Sequence, residues 1–403
     1  MRTWRVAGIL FLIGTEALLY GFSYPFFSLA LEKRELASWL IGFNASLAGV
    51  GVLFVGPFLP ATIERVGIGR LVAALFAIPF LSFGAILLFP HIAVWFVARF
   101  IMGTCFSALW TTTEIWLNGE LDDRRRGRII AASGTLYAIC QFLGPLALGA
   151  TGVTGSWPLI AAMIPLAVGA VVSALLSTKS SATFETEHEV AAENVSQWRL
   201  AIGLGGPILL VAFTSGIGET AMQSLLPLYG LAHGLTDAAA SRLVATFALG
   251  EAVLVIVLGW LADRHGRRIV LVGATLIAAA ATALLPVLMD QTIALQAVLF
   301  MAGGTIAGVY TLGIVLIGQD FRGRRLAIVS TGFGMAYSAG SVIGATPIGY
   351  LIDLFGPEAL PITVAGGFLG LMLFLAAPAQ PIKPEPLDDG AVQAEDRDPA
   401  GPL

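Results

Sequence analysis

Charge is what this sequence has least of. Only 12% of its 403 residues are Asp, Glu, Lys or Arg, while 57% are hydrophobic. A water-soluble domain carries about a quarter of its residues charged, so this composition points to lipid as the surrounding solvent. Cysteine is scarcer still: Cys105 and Cys140 are the only two, and both fall in apolar stretches, which leaves no disulfide framework. The four histidines (His91, His188, His233 and His265) are scattered over different loops, so no metal site is expected, and no cofactor. The phosphate-cradling pattern G-x-x-x-x-G-K-[ST] is absent, which excludes ATP hydrolysis within the chain. H-E-x-x-H and G-x-S-x-G are absent too, so no enzyme is expected. The net charge of −4 decides nothing about partners, because the charges are segregated; no nucleic-acid partner is expected.

What is present is glycine, at 47 residues, and long apolar runs. Small residues let helices pack closely in lipid, and roughly 20 apolar residues cross ~30 Å of hydrocarbon. Stretches of that length recur twelve times: 6–29, 37–60, 70–89, 93–118, 129–150, 157–176, 206–230, 238–262, 269–288, 293–318, 325–349 and 360–378. The first resembles a secretory leader, with Arg2 and Arg5 before an apolar run. Glu16 interrupts it, however, and no small-residue cleavage site follows, so it reads as a retained transmembrane helix.

The long polar interruption, Ser177 to Arg199, carries Glu185, Glu187, Glu189 and Glu193 without apolar periodicity. It reads as a solvated linker between two six-helix halves. The expected organisation is therefore 1–176, a linker at 177–205, 206–378, and a Pro- and Asp-rich tail at 379–403 expected to be disordered. Of the 22 lysines and arginines, all but four fall on one side if the N-terminus is cytoplasmic. The exceptions are Lys33, Arg34 and Arg242 outside and Arg99 within the membrane. That asymmetry predicts cytoplasmic termini and a cytoplasmic linker.

The halves repeat. GTEALLYGFSYPFFSL in the first span and GIGETAMQSLLPLYGL in the seventh each place a glycine before an acid, Glu16 or Glu219, and a proline after it, Pro25 or Pro227. The fourth and tenth spans both end in Arg-Gly-Arg turns, at Arg126–Arg128 and Arg322–Arg324, and Trp110-Thr111 matches Tyr310-Thr311. Repeats of this kind place a substrate site near the midplane, between the halves.

Several motifs carry a family resemblance. GWLADRHGRR (Gly259–Arg268) resembles the signature loop of the major facilitator superfamily, and Arg99-Phe-Ile-Met-Gly103 is similar to its R-x-x-x-G motif. Gly144-Pro145 with Gly149 resembles part of its antiporter motif. Glu114-Ile-Trp116-Leu117-Asn118, followed by Arg126-Gly127-Arg128, is similar to the bacterial YcaD-like branch. The first-half loop, PATIERVGIGR, departs from the signature with Pro60 in place of glycine and Glu64 in place of aspartate. The resemblance implies an all-α membrane protein of twelve transmembrane helices in two pseudo-symmetric six-helix bundles. It also implies a loop that latches the cytoplasmic face through Gly259, Asp263, Arg264, Gly266 and Arg267.

The candidate chemistry lies in the membrane. Glu16, Glu219 and Glu251 fall midway along their helices, and Arg99 lies nearer the outer end of its own. A charge there costs at least about 2.5–3.5 kcal/mol, so each needs a wet cavity or a partner. A carboxylate in such a place can bind and release a proton as the cavity alternates; the alternative is a fixed ion pair or hydrogen-bonded strut. Arg99 is the candidate cationic partner for solute or carboxylate. Tyr20 follows Glu16 by four residues and Gln223 follows Glu219 by four, so each acid shares a helix face with a hydrogen-bonding side chain.

Trp110 and Glu114 continue the Arg99 stripe, but Arg99 and Glu114 are roughly 22 Å apart along a helix and cannot pair. Glu114 is expected to cap or gate with the local arginines. Tyr20, Phe22, Tyr24, Trp110, Tyr137, Tyr310 and Tyr337 cluster near the acids and suit a planar or amphipathic solute. Gln141, Asn44 and Thr111–Thr113 are weaker polar candidates.

The expectation is a monomeric secondary transporter of a small organic solute, working by alternating access in the bacterial inner membrane and coupled to protons. Facilitated import of an aromatic, flavin-like nutrient, and a non-transporting receptor, are the alternatives. The partial Gly144-Pro145 motif leans toward efflux.

Overall fold

The structure, a computed structural model, describes residues 2–55, 58–177 and 195–377. Among them all regular structure is helical: α1 (Arg2–Glu32), α2 (Ser38–Val55), α3 (Leu59–Val66), α4 (Ile68–Leu88), α5 (Ile92–Glu120), α6 (Asp123–Thr151) and α7 (Trp157–Ser177) form the first half. The second half comprises α8 (Val195–Ala232), α9 (Asp237–His265), α10 (Arg267–Ala283), α11 (Leu285–Leu288), α12 (Thr292–Asp320), α13 (Gly323–Phe355) and α14 (Ala359–Ala376).

Eleven helical stretches are long and apolar enough to cross a membrane. The expected span 37–60 falls on α2 and the start of α3, with residues 56–57 between them outside the described set. The expected span 269–288 falls on α10 and α11, which follow one another directly.

The expected linker differs at its end. Helix α8 already begins at Val195, and its backbone leaves helical geometry at Gly205 (φ −136°, ψ 23°). The residues from 195 to 205 thus form a helical lead-in, and the break comes just before the apolar run at 206. Residues 178–194, which hold the four linker glutamates, and the tail from 378 onward lie outside the described residues.

The halves are built alike. Helix α1 packs on α6 and α8 on α13, and both pairs approach backbone to backbone: a Cβ on Gly21 would sit 2.1 Å from the Gln141 carbonyl oxygen, and one on Gly216 2.2 Å from that of Tyr337. Prolines recur at corresponding places inside these helices: Pro25 and Pro227, Pro145 and Pro347. Such close approaches replace the hydrophobic driving force that lipid does not supply. The halves meet where α2 lies along α13 and α6 along α9.

Two ends of the molecule can be distinguished. At the end away from the N-terminus the halves are tied: Lys33 Nζ lies 2.9 Å from Asp237 Oδ1. There the backbone N–H groups of Ser38 and Trp39 donate to the two Asp353 oxygens at 2.8 and 3.0 Å. Asp353 on α13 thus caps α2 from the opposite half. Slightly deeper, the Ser46 and Thr346 hydroxyls are 3.0 Å apart. At the N-terminal end Arg5 pairs with Glu120 at 3.0 Å and Arg267 with Asp263 at 3.8 Å, each pair within its own half. There α6 is exposed almost all round from Arg125 to Thr135. The bundle is closed at one end and open at the other.

Candidate functional site

Glu16 is 1% exposed, yet its Oε2 has no hydrogen-bond partner among the described residues. Tyr137 of α6 and Glu114 of α5 are near enough to this carboxyl to interact with it. The Tyr137 ring in turn meets Trp110 edge-on, centroids 4.4 Å apart at 76°. The second half repeats the set. Glu219 has a side-chain contact from Tyr337 of α13, whose ring lies 4.7 Å from that of Tyr310 at 56°. Glu16–Tyr137–Trp110 and Glu219–Tyr337–Tyr310 are two copies of one half-site.

They are not equally satisfied. Glu219 Oε1 accepts from Gln223 Nε2 at 3.2 Å, and Gln223 also contacts Glu251, whose charge interacts with that of Glu219. Glu251 Oε2 accepts from Gln141 Nε2 at 3.3 Å, a bond from α6 to α9 that joins the two halves at mid-membrane. Tyr20 stands between the half-sites, edge-on to Tyr24 at 5.1 Å and close to Glu219, Tyr137 and Tyr337. Tyr20, Tyr137, Gln141, Glu219, Glu251, Tyr310 and Tyr337 are only half-buried although they lie deep in their helices. A cavity at the interface of the halves accounts for that.

Of the residues singled out in the sequence, Glu16, Glu219, Glu251, Tyr20, Gln223, Trp110 and Tyr310 converge here. Arg99 does not. It is 2% exposed, donates from Nη1 to Ser23 Oγ at 3.0 Å, and lies over the rings of Tyr24 (4.1 Å) and Phe27 (5.0 Å). No carboxylate pairs with it among the described residues, so the partner it was expected to provide is replaced by rings, which attract a desolvated guanidinium through their π faces.

Glu114 of α5 is near enough to Glu16 for their charges to interact, and at that end Glu120 pairs with Arg5 at 3.0 Å. The loop Gly259–Arg268 is a tight helix–helix turn, with Gly266 at φ +93°. Asp263 pairs with Arg267, Arg267 Nη1 donates to Gln319 at 3.2 Å, and Arg264 lies 4.5 Å over Trp260. These contacts all stay within the second half.

Gln141, a weak candidate in the sequence, bridges the halves at mid-membrane through Glu251. Tyr137 and Tyr337 were recognisable only as aromatics near acids. The match of Trp110 with Tyr310, carried one helix further, relates them as a pair. The interhalf cap from Asp353 had no sequence signal, since α2 and α13 are 300 residues apart.

Two pseudo-symmetric helical bundles enclosing a charged, half-wet centre define a membrane transporter. A profile of the Major Facilitator Superfamily matches residues 6–241 and 208–397, and the chain belongs to that family. It is similar to the MFS-type transporter YfkF of Bacillus subtilis (strain 168), with 24% identity over 372 residues, 91% of this chain and 94% of that one. It is also similar to the MFS-type transporter YcaD of Salmonella heidelberg (strain SL476), with 25% identity over 368 residues, 88% and 91% of the two chains. Among solved structures the nucleoside transporter NupG superposes with a TM-score of 0.72 at 12% identity, over 92% of this chain and 98% of that one. The peptide transporter POT in complex with sulfate gives 0.72 at 13%, over 91% and 93%. At those identities the likeness is one of fold. The protein is a multi-pass membrane protein and a secondary transporter of a small solute, in a family of transporters rather than enzymes.

Proposed function

We propose that this transporter moves a small organic solute with aromatic character across the bacterial inner membrane, coupled to protons, by rocking of its two bundles, 1–176 and 206–378, about the central site. The observation that carries this reading is the pair of Glu–Tyr–aromatic half-sites, joined through Gln141 and Glu251. A carboxyl that is deep in lipid, half-wet and next to a second carboxyl gains from taking up a proton, because the proton relieves the repulsion between them. Partial access from one side gives that proton a path.

The lysine and arginine asymmetry supports a cytoplasmic N-terminal end of the bundle, with both termini on that side. The closed end, with Lys33–Asp237 and the Asp353 cap, then faces outward, and the conformation is open to the cytoplasm. Alternation requires those outer ties to break while the Gly259–Arg268 turn gains contacts with the first half. The protein acts as a monomer.

Reconstitution in proteoliposomes with and without an imposed pH gradient tests the reading. Gradient-driven solute accumulation that collapses on adding a protonophore is the expected result. Solute equilibration indifferent to the gradient would favour facilitated diffusion, and no flux at all a receptor.

A further inference from the structure

The two half-sites are related by the repeat but differ in what their acids already hold, and this difference goes beyond a generic organic solute. We infer that they divide the work: Glu16, with Tyr137 beside it and Trp110 one ring further out, seats the positive group of a planar organic cation, while the Glu219–Gln223–Glu251 network carries the proton exchanged for it. The inference rests on the transporter reading above and assigns the substrate class to that same site.

The charge balance of the cavity favours a cation. Its acids are Glu16 on α1, Glu114 on α5, Glu219 on α8 and Glu251 on α9. The other titratable groups around it are Tyr20 and Tyr24 on α1, Tyr137 and Cys140 on α6, Tyr310 on α12 and Tyr337 on α13. No base is among them. Arg99, the one arginine within the membrane, is sealed behind Tyr24 and Phe27 and bound to Ser23. Among the described residues around this centre an anionic solute finds no free counter-charge; a cation meets several.

The satisfaction of the acids then says where the cation sits. Glu219 accepts from Gln223, and Glu251 accepts from Gln141. Glu16 is the most deeply buried of the acids, and its Oε2 is unpartnered. A buried polar atom without a partner costs about 1–3 kcal/mol, more when charged, which a ligand ammonium or iminium group would offset. Tyr137 interacts with that carboxyl, and Trp110, 37% exposed, packs edge-on against Tyr137. An acid with a phenol beside it and an indole one ring further out suits a delocalised cation on a flat ring system, through the ion pair, cation–π attraction and stacking together. Glu251 Oε1 is also unpartnered, and the charge of Glu251 interacts with that of Glu219, so this pair of acids can share the exchanged proton. When the cation arrives at Glu16 its field favours loss of that proton to cavity water: one positive charge enters and one leaves.

Two dyes sharing a xanthene ring system, rhodamine 123 (cation) and fluorescein (anion), test this on the full-length protein in detergent. Fluorescence anisotropy measures binding, and a pH dye in weak buffer measures protons released. Saturable binding of rhodamine 123 with proton release, and little binding of fluorescein, is expected. Glu16→Gln should weaken rhodamine 123 by about tenfold or more, as loss of a charge-assisted contact implies, with Glu16→Asp recovering part of it. Glu219→Gln should chiefly lower the protons released per dye bound. Trp110→Ala, which leaves the acid in place, should also weaken the dye and serves if Glu16→Gln does not fold.

Equal affinity for the two dyes, preference for fluorescein, or no binding of rhodamine 123 overturns the cation assignment. Gradient-driven flux of fluorescein in proteoliposomes would overturn it while leaving proton-coupled transport standing. Equal loss of dye affinity in Glu16→Gln and Glu219→Gln refutes the division of labour.

Discussion

Gln141 on α6 donates to Glu251 on α9 at 3.3 Å, so one side-chain bond at mid-membrane couples the half of the protein that holds Glu16 to the half that holds Glu219. Glu251 in turn interacts with Glu219 and with Gln223. The network offers a route by which a change of protonation in one half is felt at the interface between both.

Gln141→Leu keeps the approximate volume and removes the bond. Both groups are half-buried, so its loss should cost stability only about 0.5–1.5 kcal/mol. Turnover should fall by more than that figure accounts for, because the bond links the proton site to the moving interface. Melting temperature and exchange rate, measured on the same preparation, separate the two effects. A fall in melting temperature with unchanged turnover would make Gln141 a strut.

The Asp353 cap is a contact between halves and exists only while the outer end is closed. Asp353→Ala leaves the Ser38 and Trp39 N–H groups uncapped, a loss of about 0.5–2 kcal/mol from the closed state. The population open to the outside should rise by roughly twofold to thirtyfold relative to the one closed there. Distance measurements between spin labels placed on α2 and α13 report that shift. An unchanged distance distribution would show the cap to be dispensable for closure.

Gly21 and Gly144 set the distance between α1 and α6: Cβ atoms there would meet the backbone at 2.1 and 2.4 Å. Gly144→Val should therefore lower the melting temperature sharply, with overpacking costs of about 1–3 kcal/mol or more. Gly127→Ala and Gly134→Ala, in α6 with open space around them, should be near neutral. Thermal melting in detergent checks all three. This packing gives Gly144 a structural role at the contact of α1 with α6.

Arg99→Lys keeps the charge but loses the planar group over Tyr24 and Phe27. Its effect should fall mainly on thermal stability. If it instead changes solute KM more than melting temperature, Arg99 reaches the solute.

The helices were legible in the sequence because each needs about 20 apolar residues and lipid enforces that length. Glu16, Glu219 and Glu251 were legible because charge in such a run demands a reason. What the sequence left hidden depended on partners distant along the chain. Arg99 was read as a cationic partner for solute or carboxylate because a charge within the membrane needs a reason; Ser23, Tyr24 and Phe27, which it meets, lie on another helix. Gln141 is an unremarkable polar residue until α9 brings Glu251 to it. Glu114 is close in sequence to an arginine-rich turn, and in the fold it is near enough to Glu16 for their charges to interact.

The most direct test of the central account is solute flux in proteoliposomes under an imposed pH gradient, comparing wild type with Glu219→Gln. The account predicts gradient-driven accumulation by the wild type and its loss in Glu219→Gln, with the variant still folded by thermal melting. Full gradient-driven accumulation by Glu219→Gln, and likewise by Glu16→Gln, would contradict it.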